Sequence, residues 1–428
     1  MMANTPFKER PPYAKKYNSW RIRILYSIIV GYSTFILCRQ NFNIVMPALM
    51  EHFDVTKTQL GWILTTASIF YGIGKLCNGF LSDRSNARIF MVIGLICVGI
   101  ITLLSGFASS ITSLGILWIL NHWFQSMGWP PATRMLTYWY ASKELGTKWS
   151  LGATSNQIGG AITMIMCSYL IDVYGWESAF IIPGIIALLI SLFLFNRLRN
   201  SPNEVNLPIV EEYKECYISL DSDNLLTTQQ LIKIVFCNRL MWYVCFANMF
   251  VYIVRSGIMF WASVFLYELK NVSITQVGWQ IASYDLLGLI GCIVAGWMSD
   301  KIFQGRRGPV GSVFMFALAF TIILFWQIPN NNEIFSIITL ALVGFFVAGP
   351  QVLIGIATAD FTNKQTVGTA NGLSGLFGHL GSALAGVCIG WISDNLGWDG
   401  VFLFFSLSAF SGAILFSLTW NYSSRRTA

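Results

Sequence analysis

The sequence predicts an all-α integral membrane protein, with twelve transmembrane helices in two pseudo-symmetric six-helix bundles. Three observations predict it. Hydrophobic residues make up 55% of the 428-residue chain and charged residues only 11%, against about 25% charged in an ordinary soluble chain. The charges gather in short clusters and leave twelve apolar stretches. Short motifs of the first half return in the second at nearly constant offsets.

The apolar stretches cover 24–46, 59–81, 89–108, 112–137, 150–173, 177–196, 238–267, 276–298, 310–328, 334–358, 368–392 and 399–420. Each can cross a hydrocarbon core, which takes about 20 helical residues. The longer ones permit tilt. Trp129-Pro130-Pro131 interrupts the fourth, where two prolines remove donors and bend a helix. The chain therefore divides into an N-terminal tail (1–23), a first bundle (24–196), a linker (197–237), a second bundle (238–420) and a C-terminal tail (421–428). The linker holds Pro202, Pro208 and the acidic cluster Glu211, Glu212, Glu215, Asp221 and Asp223. It is too polar to span a membrane and too short to be a domain.

Basic residues set the orientation. Of the 27 Lys and Arg, 22 fall on the tails, the linker and the loops after even-numbered spans, counting Arg134 and Arg239 at the span ends beside them. Only Lys57 and Lys270 fall on the other side, and Arg39, Lys75 and Arg255 lie inside spans. The positive-inside rule then puts both termini in the cytoplasm, in an inner or plasma membrane. The net charge of +7 reports topology, and no basic face of a folded domain points to nucleic acid. The polar N-terminus leads into a span too long for a signal peptide. The cysteines lie mostly in spans and read as apolar filler. Asn271-Val-Ser273 is a glycosylation sequon on the outer side.

The repeat is explicit. Gly79-Phe-Leu-Ser-Asp83-Arg84 returns as Gly296-Trp-Met-Ser-Asp300-Lys301, 217 residues on; Gly146-Thr147 returns as Gly368-Thr369, 222 on; Pro130 and Pro350 are 220 apart. Parallel repeats of this kind put a substrate site near the bilayer midplane, between the halves. Asp83, Arg84, Arg88, Asp300 and Lys301 form two matching charged loops. They predict a cytoplasmic gate, in which the aspartates cap a neighbouring helix or pair with Arg84, Arg88 or Lys301.

Arg39 and Arg255 are each embedded in an apolar run, one per half. A guanidinium at mid-membrane costs at least ~3 kcal/mol on insertion scales and usually marks function. Two placed alike suggest one anion held between the halves. Gly72-Ile-Gly74-Lys75 lacks the first glycine and the Ser/Thr of a phosphate loop, and reads as close helix packing. His52 reads as loop, and His122, on the fourth span, as packing or lipid interface. No zinc spacing, catalytic triad or nucleotide fingerprint stands out, so neither an enzyme nor a cofactor or metal is expected.

Arg39-Gln-Asn-Phe42, Asp83-Arg-Ser-Asn-Ala-Arg88, Phe124-Gln-Ser-Met-Gly-Trp129-Pro-Pro131, Ile209-Val-Glu-Glu-Tyr-Lys214, Phe250-Val-Tyr-Ile-Val-Arg255-Ser-Gly257, Gly296-Trp-Met-Ser-Asp-Lys301 and Gly397-Trp-Asp-Gly400 occur in that order. In this order and spacing the chain resembles the organophosphate:phosphate antiporters of the major facilitator superfamily. That family is typified by carriers of glycerol-3-phosphate and hexose phosphates. The resemblance implies the major facilitator fold and import of a small organophosphate in exchange for inorganic phosphate. It implies that Arg39 and Arg255 bind the phosphoryl group, that Lys75 pairs with Asp285 across the halves, and that Tyr71 and Tyr252 line the pore. Asn156 stands where the family has a histidine, Gln40 replaces a lysine, Phe260 its acidic partner, and Ala348 and His379 two tyrosines. His379 is either an anion ligand replacing the lost histidine from across the cavity or a packing residue. The expected partners are the bilayer, phosphate and an organic phosphate, with the chain a monomer. Two other functions stay open: a carrier of another organic anion, proton-coupled through Asp285 or His379, and a membrane sensor for hexose phosphate.

Overall fold

The computed structural model describes residues 13–140, 148–149, 151–208, 210, 236–270, 273–327, 333–361 and 367–422. The linker's acidic cluster, Gly146-Thr147 and Asn271 lie outside the described residues. The described residues are helical throughout, with no strand. In the first half are α1 (Ala14–Phe53), α2 (Lys57–Arg84), α3 (Ala87–Ser105), α4 (Ile111–Gln125), α5 (Trp129–Trp139), α6 (Ser155–Tyr174) and α7 (Ser178–Arg197). In the second are α8 (Arg239–Lys270), α9 (Ile274–Trp297), α10 (Arg307–Gln327), α11 (Glu333–Asp360) and α12 (Val367–Ser417).

Ten described helical segments are long and apolar enough to cross a membrane, where twelve were expected. Both differences have local causes. The fourth expected span is divided between α4 and α5, of 15 and 11 residues, each too short to cross a core of about 30 Å alone. Between them Ser126, Met127 and Gly128 turn tightly, bonding to the carbonyls of Trp123, Phe124 and Gln125. Pro130 and Pro131 then start α5, the one place in a helix where a missing N–H does no harm. The eleventh and twelfth expected spans are the two legs of α12. Its 51 residues would measure roughly 75 Å if straight, more than twice the apolar thickness of a bilayer. The chain turns at Gly397, with φ 70° and ψ −175°, a conformation open to glycine alone. Gly175, 222 residues earlier, turns the chain from α6 to α7 with φ 88°.

The repeat extends to the helix caps. Thr56 and Gln59 form a capping box at the start of α2, and Ser273 and Gln276 form one at the start of α9, each 217 residues on. Each box satisfies two of the amides that a helix start leaves unpaired.

The halves meet on the side away from the termini. There Gly61 of α2 faces Gly386 of α12 so closely that a Cβ on Gly61 would sit 2.7 Å from the Gly386 carbonyl oxygen. Thr65 Oγ1 donates to the Ala383 carbonyl at 2.6 Å, Tyr267 donates to Glu51 at 2.8 Å, and Lys57 pairs with Glu268 at 3.0 Å. Asp394 Oδ2 accepts the Thr58 amide at 2.8 Å and its hydroxyl at 2.5 Å. Asp172 Oδ2 accepts the Thr275 amide at 3.0 Å, and its hydroxyl as well. One apolar cluster runs through both halves here, from Phe42 and Leu64 to Val277 and Ile389. Toward the termini the apolar core divides: a second cluster around Phe35 and Trp139 belongs to the first half, and a third around Phe314 and Leu353 to the second. A Cβ added at Gly79, Gly355, Gly372 or Gly375 would meet nothing within 4 Å. The molecule is closed on the far side and parted on the side of its termini.

Candidate functional site

The parted halves enclose a cavity of about 360 Å³. Arg39, Lys75, Tyr71, Asn156, Tyr252, Arg255 and His379 all line it. Nine helices contribute: α1, α2, α4, α5 and α6 from the first half, α8, α9, α11 and α12 from the second. Among the described residues the lining carries three cations and no carboxylate.

Arg39 is only loosely held. Its Nη1 donates to Tyr71 Oη at 3.3 Å and its Nη2 to Asn156 Oδ1 at 3.4 Å, both long for charged donors. Its guanidinium lies 5.5 Å from the Tyr71 ring centre. Arg255 lies 5.7 Å from the ring of Tyr252, one turn earlier on α8, and makes no hydrogen bond to a described residue. Gln351 donates to Tyr252 Oη at 3.4 Å. His379 stands in the seam, 5.2 Å from the Tyr71 ring and 6.2 Å from the Tyr252 ring. Gly72 admits it, with the His379 Cβ 3.6 Å from where a Cβ of Gly72 would be. Donors thus outnumber their protein acceptors, and a guanidinium from each half faces the same space. Such a site suits a tetrahedral oxyanion, whose oxygens accept from parallel N–H groups.

The structure revises the expected charge pair. Lys75 is exposed to the cavity, and Asp285 is buried between α9 and α6 without lining it. No ion pair joins them among the described residues. Asp285 instead packs against Gly160 and Gln40, where a Cβ on Gly160 would collide with the carboxylate, and Arg255 is its charged neighbour. Its Oδ2 and the Gln40 Oε1 are both buried without a hydrogen bond.

The expected gate is revised too. Asp300 pairs with Arg307 at 2.5 Å, not with Lys301, which is exposed. Adjacent residues point apart on a helix, while Arg307 returns from the next helix to meet the carboxylate. Arg307 also holds Asp360 at 3.1 Å and Ser299 at 2.8 Å, tying the ends of α9, α10 and α11 inside one half. Arg88 donates from Nε to the Phe195 carbonyl at 3.0 Å, satisfying an unpaired acceptor in the last turn of α7. Arg84 is the last residue of α2. The Asp83 side chain lies outside the described residues. Arg134, absent from the sequence reading, binds the Ser82 and Ser85 carbonyls at 2.5 and 2.7 Å. The charged loops thus brace each half separately on the parted side.

His122, expected to pack or to face lipid, lines the cavity instead, as do Tyr32, Gln157 and Gln351, which the sequence did not single out. The exposure of His122 is 8%, and it lines the cavity beside Tyr71, with ring centres 6.3 Å apart. One signal for it existed: a histidine at mid-span shares the prior that singled out Arg39.

Comparison with known proteins agrees with this geometry. The profile of the Major Facilitator Superfamily matches residues 28–332 and 244–426. A probable hexose phosphate transport protein of Chlamydia pneumoniae is 39% identical over 96% of this chain and 94% of its own. The glycerol-3-phosphate transporter of Bacillus subtilis is 36% identical over 96% and 94%. The membrane sensor protein UhpC of Escherichia coli is 35% identical over 96% and 95%. A crystal structure of a bacterial homologue of the human lysosomal transporter Spinster, inward-facing and unoccupied, shares the fold, with a TM-score of 0.75 and 14% identity over 94% of each chain. By its profile, its fold and these relatives, the chain belongs to the major facilitator superfamily, in the group that contains these phosphate-ester transporters and sensors.

Proposed function

We propose that this chain is a secondary active transporter that exchanges a small organophosphate, of the glycerol-3-phosphate or hexose-phosphate class, for inorganic phosphate by alternating access. The observation that carries the reading is the pair Arg39 and Arg255, one from each half, facing a cavity with no carboxylate among the described residues of its lining. A phosphoryl group carries about −1.5 to −2 charges at neutral pH. Two guanidinium forks offset that charge and supply parallel donors. When the site is empty, like charges face each other across the seam and oppose closure on the parted side. A bound anion removes the repulsion and draws the halves together. Phosphate and phosphate ester present the same oxyanion, so either can serve as the counter-ion for the return stroke. Lys75 adds a third positive charge at the cavity wall.

The sided distribution of Lys and Arg supports cytoplasmic termini, in an inner or plasma membrane, with the cavity open to the cytoplasm. One chain supplies both halves of the site, which supports a monomer.

The test is efflux of radiolabelled phosphate from proteoliposomes, challenged with external phosphate, glycerol-3-phosphate, glucose-6-phosphate and organic anions without phosphorus. Exchange with the phosphorus-containing anions alone supports the proposal. Flux driven by a proton gradient with a different anion would replace it with a proton-coupled carrier. Tight binding without flux would favour a sensor, the role that the name of one 35% identical relative carries.

A further inference from the structure

We propose that His122 presents a hydrogen-bond acceptor to an O–H group of the bound anion, and so selects phosphate and hydroxylated phosphate esters over sulfate. The inference rests on the oxyanion reading of the cavity and assigns a residue outside its expected set. His122 Nδ1 lies 3.1 Å from the carbonyl oxygen of Trp118, one turn earlier on α4. A carbonyl only accepts, so Nδ1 carries the hydrogen and donates it. In the neutral ring Nε2 is then an acceptor. It makes no hydrogen bond to a described residue. The ring is fixed on its other sides, 4.9 Å from the Trp118 ring and 6.3 Å from the Tyr71 ring. Tyr71 in turn takes the Arg39 hydrogen bond, and Arg39 is the charged neighbour of His122 in the same cavity.

Arg39, Arg255 and Lys75 can only donate, and a bound anion draws their hydrogens to its own oxygens. Nε2 takes no hydrogen bond from a described residue, so a hydroxyl of the ligand is the donor that can pair with it. Inorganic phosphate keeps an O–H at neutral pH, and a glycerol or hexose ester has carbon hydroxyls. Sulfate, of nearly the same size and shape, has none. Its oxygen would meet the Nε2 lone pair without a hydrogen between them. A site built to pair a hydroxyl rejects the analogue that lacks it, because its own polar group is left unpaired. An unpaired buried acceptor lowers affinity by about tenfold or more.

The experiment measures equilibrium binding of phosphate and of sulfate to the purified full chain, in wild type, His122→Phe and His122→Gln. Wild type should prefer phosphate by about tenfold or more. His122→Phe should lose about that factor for phosphate and change sulfate by less than twofold, while His122→Gln, with its amide oxygen, keeps most of the preference. His122→Met serves the same comparison should the phenylalanine variant fail to purify as a single species. Equal weakening of both anions in the apolar variants means that His122 only packs, and overturns the inference. Equal binding of both anions by wild type also overturns it and leaves the phosphate reading standing. Binding of neither anion by wild type ends the phosphate reading, and this inference with it.

Discussion

Arg39 and Arg255 face the cavity in unequal states. Arg39 has two long hydrogen bonds to give up, and Arg255 has none to a described residue. An incoming oxyanion therefore meets one donor set that is free and one that exchanges partners. Lysine at either position keeps the charge and loses the planar fork. Truncating a buried charged contact costs several kcal/mol, so Arg39→Lys and Arg255→Lys should each weaken phosphate binding by about a hundredfold or more. The double variant should bind little worse than either single one, since the two forks hold one ligand. Titration of the purified variants checks this, and wild-type affinity in both single variants would remove the anion from between them. Lys75 and Asp285 carry the opposite expectation. They do not touch, so the stability effects of Lys75→Ala and Asp285→Ala should add to within about 0.5 kcal/mol in a double-mutant cycle. A thermal-denaturation coupling above that would mean that they pair in another state of the transporter. The contrast shows what the sequence carried at this scale. A charge in an apolar run is conspicuous wherever its partner is. Which partner it meets depends on depth and rotation across helices of different halves, and no spacing along the chain records that. Asp300 meets Arg307 and not its neighbour Lys301 for a local reason, since adjacent residues point apart on a helix.

At the scale of elements, the pseudo-symmetry of the sequence becomes a pair of reciprocal locks. Asp394, at the far end of the first leg of α12, caps the start of α2 in the other half. Asp172, at the far end of α6, caps the start of α9. Each carboxylate serves a helix start that already has its own capping box, and adds a negative charge to the positive end of the helix dipole. Both aspartates are exposed, so each cap contributes about 0.5–1 kcal/mol. Asp172→Ala with Asp394→Ala should then shift the balance toward far-side opening by about tenfold, as read by labelling of a buried far-side position such as Ala67→Cys. Unchanged labelling would mean that the apolar cluster alone holds the seal. Gly160→Leu should act the same way on the same interface, since its side chain needs the space of the Asp285 carboxylate and wedges the two halves apart. That variant should lose transport while still inserting in the membrane. Helix number was the less legible part of the fold. Apolar length marks a crossing, but a tight turn before two prolines and a glycine turn inside an otherwise helical run are matters of backbone geometry that hydropathy does not register.

The whole molecule is a machine caught in one of two states. Its far side is sealed by the locks, by the Lys57–Glu268 pair and by an apolar cluster shared by both halves, while the cluster around Phe35 and Trp139 and that around Phe314 and Leu353 each belong to one half. Alternating access requires the reverse state to lie within a few kcal/mol. The two locks and the ion pair are small, breakable contacts compatible with that. The 22-to-2 split of basic residues supports the proposal that the parted side faces the cytoplasm. The two arguments come from different physics, one from packing and one from loop charge, so a single experiment tests both. On a background with the nine native cysteines replaced by alanine, Gly372→Cys on the parted wall should react with a membrane-impermeant maleimide in inside-out vesicles and not in intact cells. Ala67→Cys, fully buried in the far-side cluster, should react slowly in either orientation. Added phosphate should slow the Gly372→Cys reaction and quicken that of Ala67→Cys in intact cells, because an anion that bridges the two arginines favours closing the cytoplasmic side and opening the outer one. Fast Gly372→Cys labelling from outside intact cells would reverse the topology. Labelling that does not respond to phosphate at either position would separate binding of the anion from the motion of the halves.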